Sequence, residues 1–172
     1  MEYVTLGRGG PSVSRVAFGC AAIGGADYGP ADDADSLRAA HQAIDLGINF
    51  FDVADVYGFG RAERVLGEAL ASKSSANVIV ATKGGVRWDD RGRTQRDSSP
   101  DWISTAIDAS LSRLRVERID LYQLHWPDPK TPIEDTLDLL ERRREDGKIG
   151  QIGCTNFPLP LIDRAQRATR LD

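Results

Sequence analysis

Four side chains stand out because together they could move a proton on a carbonyl compound: Asp52, Tyr57, Lys83 and His125. A free tyrosine titrates near ~10, so it is a weak acid at neutral pH. A nearby ammonium stabilises the phenolate and makes the phenol a better proton donor. Lys83 could serve Tyr57 in this way, and Asp52 could hold that lysine charged and oriented. His125 could hydrogen-bond the same carbonyl oxygen and fix its orientation. Each residue also has a plain structural reading. An Asp in an apolar run can cap a turn, and a Lys after a strand is usually solvated. Tyr57 could be a packed loop aromatic, and His125, beside Trp126 and Pro127, could be a satisfied core histidine.

Their placement along the chain favours a common role. The apolar, β-branched runs Val16 to Ala21, Phe50 to Ala54, Val78 to Lys83, Ile119 to Trp126 and Ile149 to Thr155 read as five strands. Helices are expected between and after them. The first runs from Asp32 to Leu46, with Gly47 as its stop, and the second from Ala62 to Ser72. The third starts at Ser99-Pro100-Asp101 and continues through Leu114. The last two cover Ile133 to Asp146, ahead of Gly147, and Pro158 to Thr169. Tyr3 to Arg15 reads as a short hairpin, and the polar stretch Gly84 to Ser99 reads as a loop. Strictly alternating strands and helices imply βα units and a parallel sheet in one domain, residues 1–172. In a β/α barrel, catalytic groups sit at the C-terminal ends of several strands. Asp52 lies in the second run, Lys83 closes the third, His125 nearly closes the fourth, and Thr155 and Asn156 close the fifth.

Composition excludes several classes. The 172 residues are 41% hydrophobic and 28% charged with a net charge of −4, an ordinary soluble balance. Such a charge gives no reason to expect nucleic-acid or anionic-membrane binding. No apolar run approaches the ~18 residues that span a bilayer. The N-terminus lacks a basic segment followed by an apolar one, so no signal peptide is expected. Cys20 and Cys154 have no metal-like spacing and read as buried reduced thiols of a cytoplasmic protein, with no metal site. Arg142-Arg143-Arg144 reads as a solvated helix face. Trp88 and Trp126 are candidates to line a substrate pocket, and Gly24-Gly25 and Gly84-Gly85 could allow backbone approach to a ligand.

The motifs Phe51-Asp52-Val53-Ala54-Asp55-Val56-Tyr57-Gly58, Ala81-Thr82-Lys83, Leu124-His125-Trp126-Pro127 and Gly153-Cys154-Thr155-Asn156-Phe157 occur in this order. With Gly147-Lys148-Ile149 ahead of the fifth strand, they resemble the aldo-keto reductase superfamily over essentially the whole chain. The resemblance implies a TIM-barrel-type parallel (β/α) fold and NADP(H)-dependent reduction of a small-molecule carbonyl to an alcohol. It places the family's catalytic tetrad on Asp52, Tyr57, Lys83 and His125. Its contacts to the nicotinamide carboxamide fall on Thr155 and Asn156, with Thr where the family more often has Ser.

The sequence departs from that pattern in length. A full barrel has eight strands and typically ~250 residues, and five βα units are legible here. The absent units are those whose loops commonly bind phosphate. In the family they hold most of the cofactor. An incomplete barrel with a short N-terminal hairpin is therefore expected. Its first and fifth strands are open edges that invite pairing, through a homo-oligomer or a second chain. Three functions stay open at this point: reductase, a cofactor-independent lyase, isomerase or cyclase that reuses the tetrad, and a non-catalytic fragment.

Overall fold

Tyr3 to Arg15 forms the expected hairpin: β1 (Tyr3–Thr5) pairs antiparallel with β2 (Ser12–Ser14), Tyr3 opposite Ser14. The computed structural model describes residues 1–7, 9–25, 28–72, 77–169 and 171. The five apolar runs then appear as strands, with helices between and after them. Strand β3 (Phe18–Gly19) leads into a 3-10 turn at Ala22–Gly24 and helix α1 (Asp33–Asp45). Strand β4 (Phe50–Asp52) precedes α2 (Arg61–Ser72), and β5 (Ile79–Gly84) precedes a hairpin of β6 (Val86–Trp88) and β7 (Thr94–Arg96). Helix α3 (Pro100–Leu114), β8 (Ile119–Leu124), α4 (Ile133–Glu145), β9 (Ile149–Cys154) and α5 (Leu159–Ala168) complete the order.

The sheet runs β3-β4-β5-β8-β9 and every pairing in it is parallel. That is the strand half of a β/α barrel, with β3 and β9 at its open edges. Helix boundaries follow local chemistry. Asp32 caps α1 by accepting the Asp35 N–H at 2.9 Å, and Gly47 ends it in the left-handed region at φ 84°. Pro100 occupies the first turn of α3, where its missing N–H has no intrahelical partner to lose. Between sheet and helices lies the core, including Phe51, Leu66, Ile107, Leu114, Leu140 and Ile152, all fully buried. Each side chain of this size contributes about 1.5–3 kcal/mol on burial.

Three expectations need correction. The stretch 84–99 is an antiparallel hairpin with Val86 opposite Arg96. The loop reading weighted its glycines and charges above a two-by-three-residue alternation too short to stand out. The first strand has only two paired residues, because Val16 and Ala17 find no partner on β4. The triple-arginine face is only partly solvated: Arg143 reaches α3, donating to Ser104 Oγ at 2.8 Å and Asp108 at 2.6 Å, and Arg144 pairs with Glu141.

Candidate active site

The strand ends are held level by bonds that continue past the regular ladders. Val53 N–H donates to Ala81 O, His125 N–H to Gly84 O, and Thr155 N–H to Leu124 O, each at 2.9 Å. These bonds bring the ends of β4, β5, β8 and β9 to one rim, where the candidate residues meet. After β4 the chain turns sharply through Gly58, Phe59 and Gly60, all in the left-handed region at φ 59°, 54° and 86°. A Cβ on Gly58 would overlap the Gly24 carbonyl oxygen. Gly24 and Gly58 are therefore glycines so that two backbones can touch, which delivers Tyr57 to the rim. The expectation that Gly24 serves a ligand is corrected accordingly. Gly84 likewise gives room to the Tyr122 hydroxyl.

Lys83 stands at the centre. Its ammonium pairs with Asp52 Oδ1 at 2.8 Å and donates to Val53 O at 3.0 Å and Tyr57 Oη at 3.4 Å. An ammonium has three donors, and all three are engaged. The lysine side chain is only 7% exposed, whereas that of Asp52 is 38% exposed. The charge pair therefore faces the rim from below. The Tyr57 ring meets His125 edge-on, with centroids 5.8 Å apart and planes at 82°. Trp126 stacks beside His125 at 6.2 Å, and the Arg96 guanidinium covers Trp126 at 5.1 Å. Arg96 also donates to Pro127 O at 3.4 Å, which ties the β6–β7 hairpin to the loop after β8. Trp88 packs on Phe59 with centroids 6.0 Å apart, at the turn end of that hairpin.

His125 is buried, and its Nδ1 has no hydrogen-bond partner. Burial and the Lys83 charge bring its pKa down to about 4, against the opposing pull of Asp52. The imidazole is thus uncharged at neutral pH. In an unfolded chain it would take a proton near ~6.5. The neutral folded ring therefore contributes stability above that pH, lost as pH falls from there towards about 4. A nitrogen-detected NMR titration should place His125 protonation near pH 4, and Lys83→Met should move the midpoint upward. An unchanged midpoint in that variant would rule out Lys83 as a cause.

Thr155 and Asn156 follow β9 at the same rim. Asn156 sits in the left-handed region at φ 61°, which Asn tolerates, and its Nδ2 donates to His125 O at 2.9 Å. Cys20 and Cys154 are free thiols. Burial and the Asp52 charge push the Cys20 thiol well above its ordinary range, so it is inert.

Sequence reasoning missed a polar layer on the helix side of the sheet. Glu63 of α2 is fully buried; it accepts from Thr82 Oγ1 at 2.6 Å and from Arg113 Nε of α3 at 2.6 Å. The available signal was that Glu63 shares a helical stripe with Leu66 and Leu70, all three of them buried.

The sequence profile described as the Aldo/keto reductase family matches residues 15–172. The chain belongs to the aldo/keto reductase family. Aldo-keto reductase YhdN of Bacillus subtilis is 37% identical over 164 residues, 95% of this chain and 49% of YhdN. The NADH-specific methylglyoxal reductase of Escherichia coli is 34% identical, matching all of this chain and 57% of its own length. The glycerol dehydrogenase AKR11B4 from Gluconobacter oxydans superposes with a TM-score of 0.87 at 44% identity, covering 93% of this chain and 50% of that one. The chain thus spans about half the length of the aldo-keto reductases it matches, in keeping with five of eight βα units.

Proposed function

We propose that this chain carries the acid/base half of an NADP(H)-dependent carbonyl reductase acting on a small aldehyde or ketone. The observation that carries the proposal is the Lys83 ammonium, set between Asp52 Oδ1 at 2.8 Å and Tyr57 Oη at 3.4 Å. Reduction builds negative charge on the carbonyl oxygen, and that charge needs a proton. Tyr57 supplies it. Lys83 stabilises the phenolate left behind, and Asp52 keeps the ammonium oriented. Uncharged His125 donates an N–H to the same oxygen and fixes the substrate, with Trp126 and Trp88 as apolar walls.

The polar groups beside His125 suit a nicotinamide ring. The Asn156 amide and Thr155 hydroxyl offer acceptors for a carboxamide at the same rim. A reduced nicotinamide bound there would supply the hydride. A relative described as NADH-specific stands against assuming the phosphorylated cofactor, so the choice of NADP(H) is part of the proposal. The open edges β3 and β9 would be covered by a second copy or another chain, in a cytoplasmic setting.

NADPH and NADH titrations of the purified chain, followed by fluorescence, test this together with light scattering. Micromolar NADPH binding and an assembly larger than one chain are expected. A folded chain that binds neither cofactor at millimolar concentration would sink the reductase reading for this polypeptide.

A further inference from the structure

We infer that Asp55 is an uncharged carboxylic acid that fills the space behind the Asp52–Tyr57 turn and, by packing there, positions Tyr57 against Lys83. The inference deepens the proposed function, on which it rests for the meaning of the Tyr57–Lys83 contact.

Asp55 lies between the two residues it would serve. Its backbone N–H donates to Lys83 O at 3.1 Å, which extends the β4–β5 pairing into the turn, and Tyr57 N–H returns to Ala54 O at 3.2 Å. Side chains alternate along a strand. Lys83 faces the rim with Asp52, whereas Thr82 faces α2, where it meets Glu63. The Asp55 carboxyl joins that second face. A Cβ added to Gly84 would lie 3.3 Å from Asp55 Oδ2 and would overlap Tyr122 Oη, so both oxygens converge on the same glycine.

The surroundings decide the charge. Asp55 is 1% exposed, and neither carboxyl oxygen has a hydrogen-bond partner of ordinary geometry. An ionised carboxylate buried without partners is far too costly to persist, so such a group takes up a proton instead. The groups around it pull in both directions, and burial with Glu63 outweighs the rest. Glu63 of α2 adds a negative charge, and the Arg113 cation of α3 is already bonded to Glu63. Tyr122 of β8 brings an unpartnered hydroxyl. Lys83 of β5 lowers the cost of ionising Asp55 least of all, and its three donors are engaged elsewhere. Burial and Glu63 together push the Asp55 carboxyl well above the usual carboxylate range, and Arg113, the Val56 amide and Lys83 offset only part of this.

Neutrality keeps the layer behind the sheet balanced, with one carboxylate, Glu63, for one cation, Arg113. The ammonium of Lys83 then answers to one carboxylate only, Asp52. A protonated carboxyl can also donate, which gives the buried Tyr122 hydroxyl a partner after a small side-chain adjustment.

Two measurements test this without cofactor or turnover, so a chain lacking reductase activity leaves both decisive. Infrared spectra at neutral pH should contain a protonated-carboxyl C=O band that shifts on 13C-aspartate labelling and is lost in Asp55→Asn. Identical spectra in that region for the two proteins would overturn the neutral-acid assignment. Nuclear Overhauser contacts between Lys83 Hε and the Tyr57 ring report the positioning. They should persist in Asp55→Asn, which preserves shape and neutrality, and weaken at least several-fold in Asp55→Ala. If Asp55→Ala does not fold, Asp55→Ser takes its place. Contacts of wild-type strength in the truncated variant would overturn the positioning role.

Discussion

Tyr57→Phe is expected to lower carbonyl reduction by about 10²–10⁴-fold, the range for removing a general acid, with substrate and cofactor affinity little changed. The phenyl ring keeps its edge-on contact with His125, so the walls of the site stay in place and only the proton donor is lost. The effect should therefore fall on kcat, because the hydroxyl matters most where charge develops on the carbonyl oxygen. Lys83→Met should cost a similar factor through a different route. It leaves the hydroxyl in place but removes the ammonium 3.4 Å away. It also strands Asp52, whose side chain is 38% exposed and can recruit water. The assay is steady-state oxidation of NADPH with a simple aldehyde, on the assembly that binds the cofactor. Full activity in Tyr57→Phe would remove Tyr57 as the acid and leave His125 as the nearest alternative.

The sequence is most legible where chemistry and periodicity coincide. The strand-end positions of Lys83, His125 and Thr155 follow from apolar runs that stop at polar residues, and the sheet does bring those ends to one rim. The stop glycine of α1 was equally visible, because it acts within a turn of its own position. The β6–β7 hairpin was not, since three-residue strands carry too little alternation to outweigh the intervening charges. Asp55 was read only as part of a motif. Nothing local distinguishes its neighbour Asp52, which has an ammonium partner, from Asp55, which has none. The difference arises from which face of the sheet each occupies, and from Gly84 and Tyr122, which lie 29 and 67 positions further along. Glu63 and Arg113 are fifty residues apart, so their pairing depends on α2 packing against α3, a tertiary fact.

That pairing supports the largest expected stability effect. Arg113→Ala should destabilise the fold by about 3–5 kcal/mol, the cost of leaving a buried charge without its partner. A domain is held by only about 5–15 kcal/mol in total, so a large lowering of the urea midpoint is expected. Glu63 has no exposure at all and cannot turn to water, whereas the Arg113 side chain is 18% exposed and can. The two halves of the pair are therefore unequal. Glu63→Gln keeps an acceptor for the Thr82 hydroxyl and frees a cation that reaches solvent, so it should cost about 1–2 kcal/mol. Replacing both residues at once, Glu63→Leu with Arg113→Met, removes the charge and its partner together and should recover much of the Arg113→Ala loss. Urea unfolding of the four proteins measures all three terms. Equal losses in Arg113→Ala and Glu63→Gln would mean that water reaches Glu63. The layer behind the sheet would then be wet, and the argument that Asp55 must be uncharged would lose its electrostatic support.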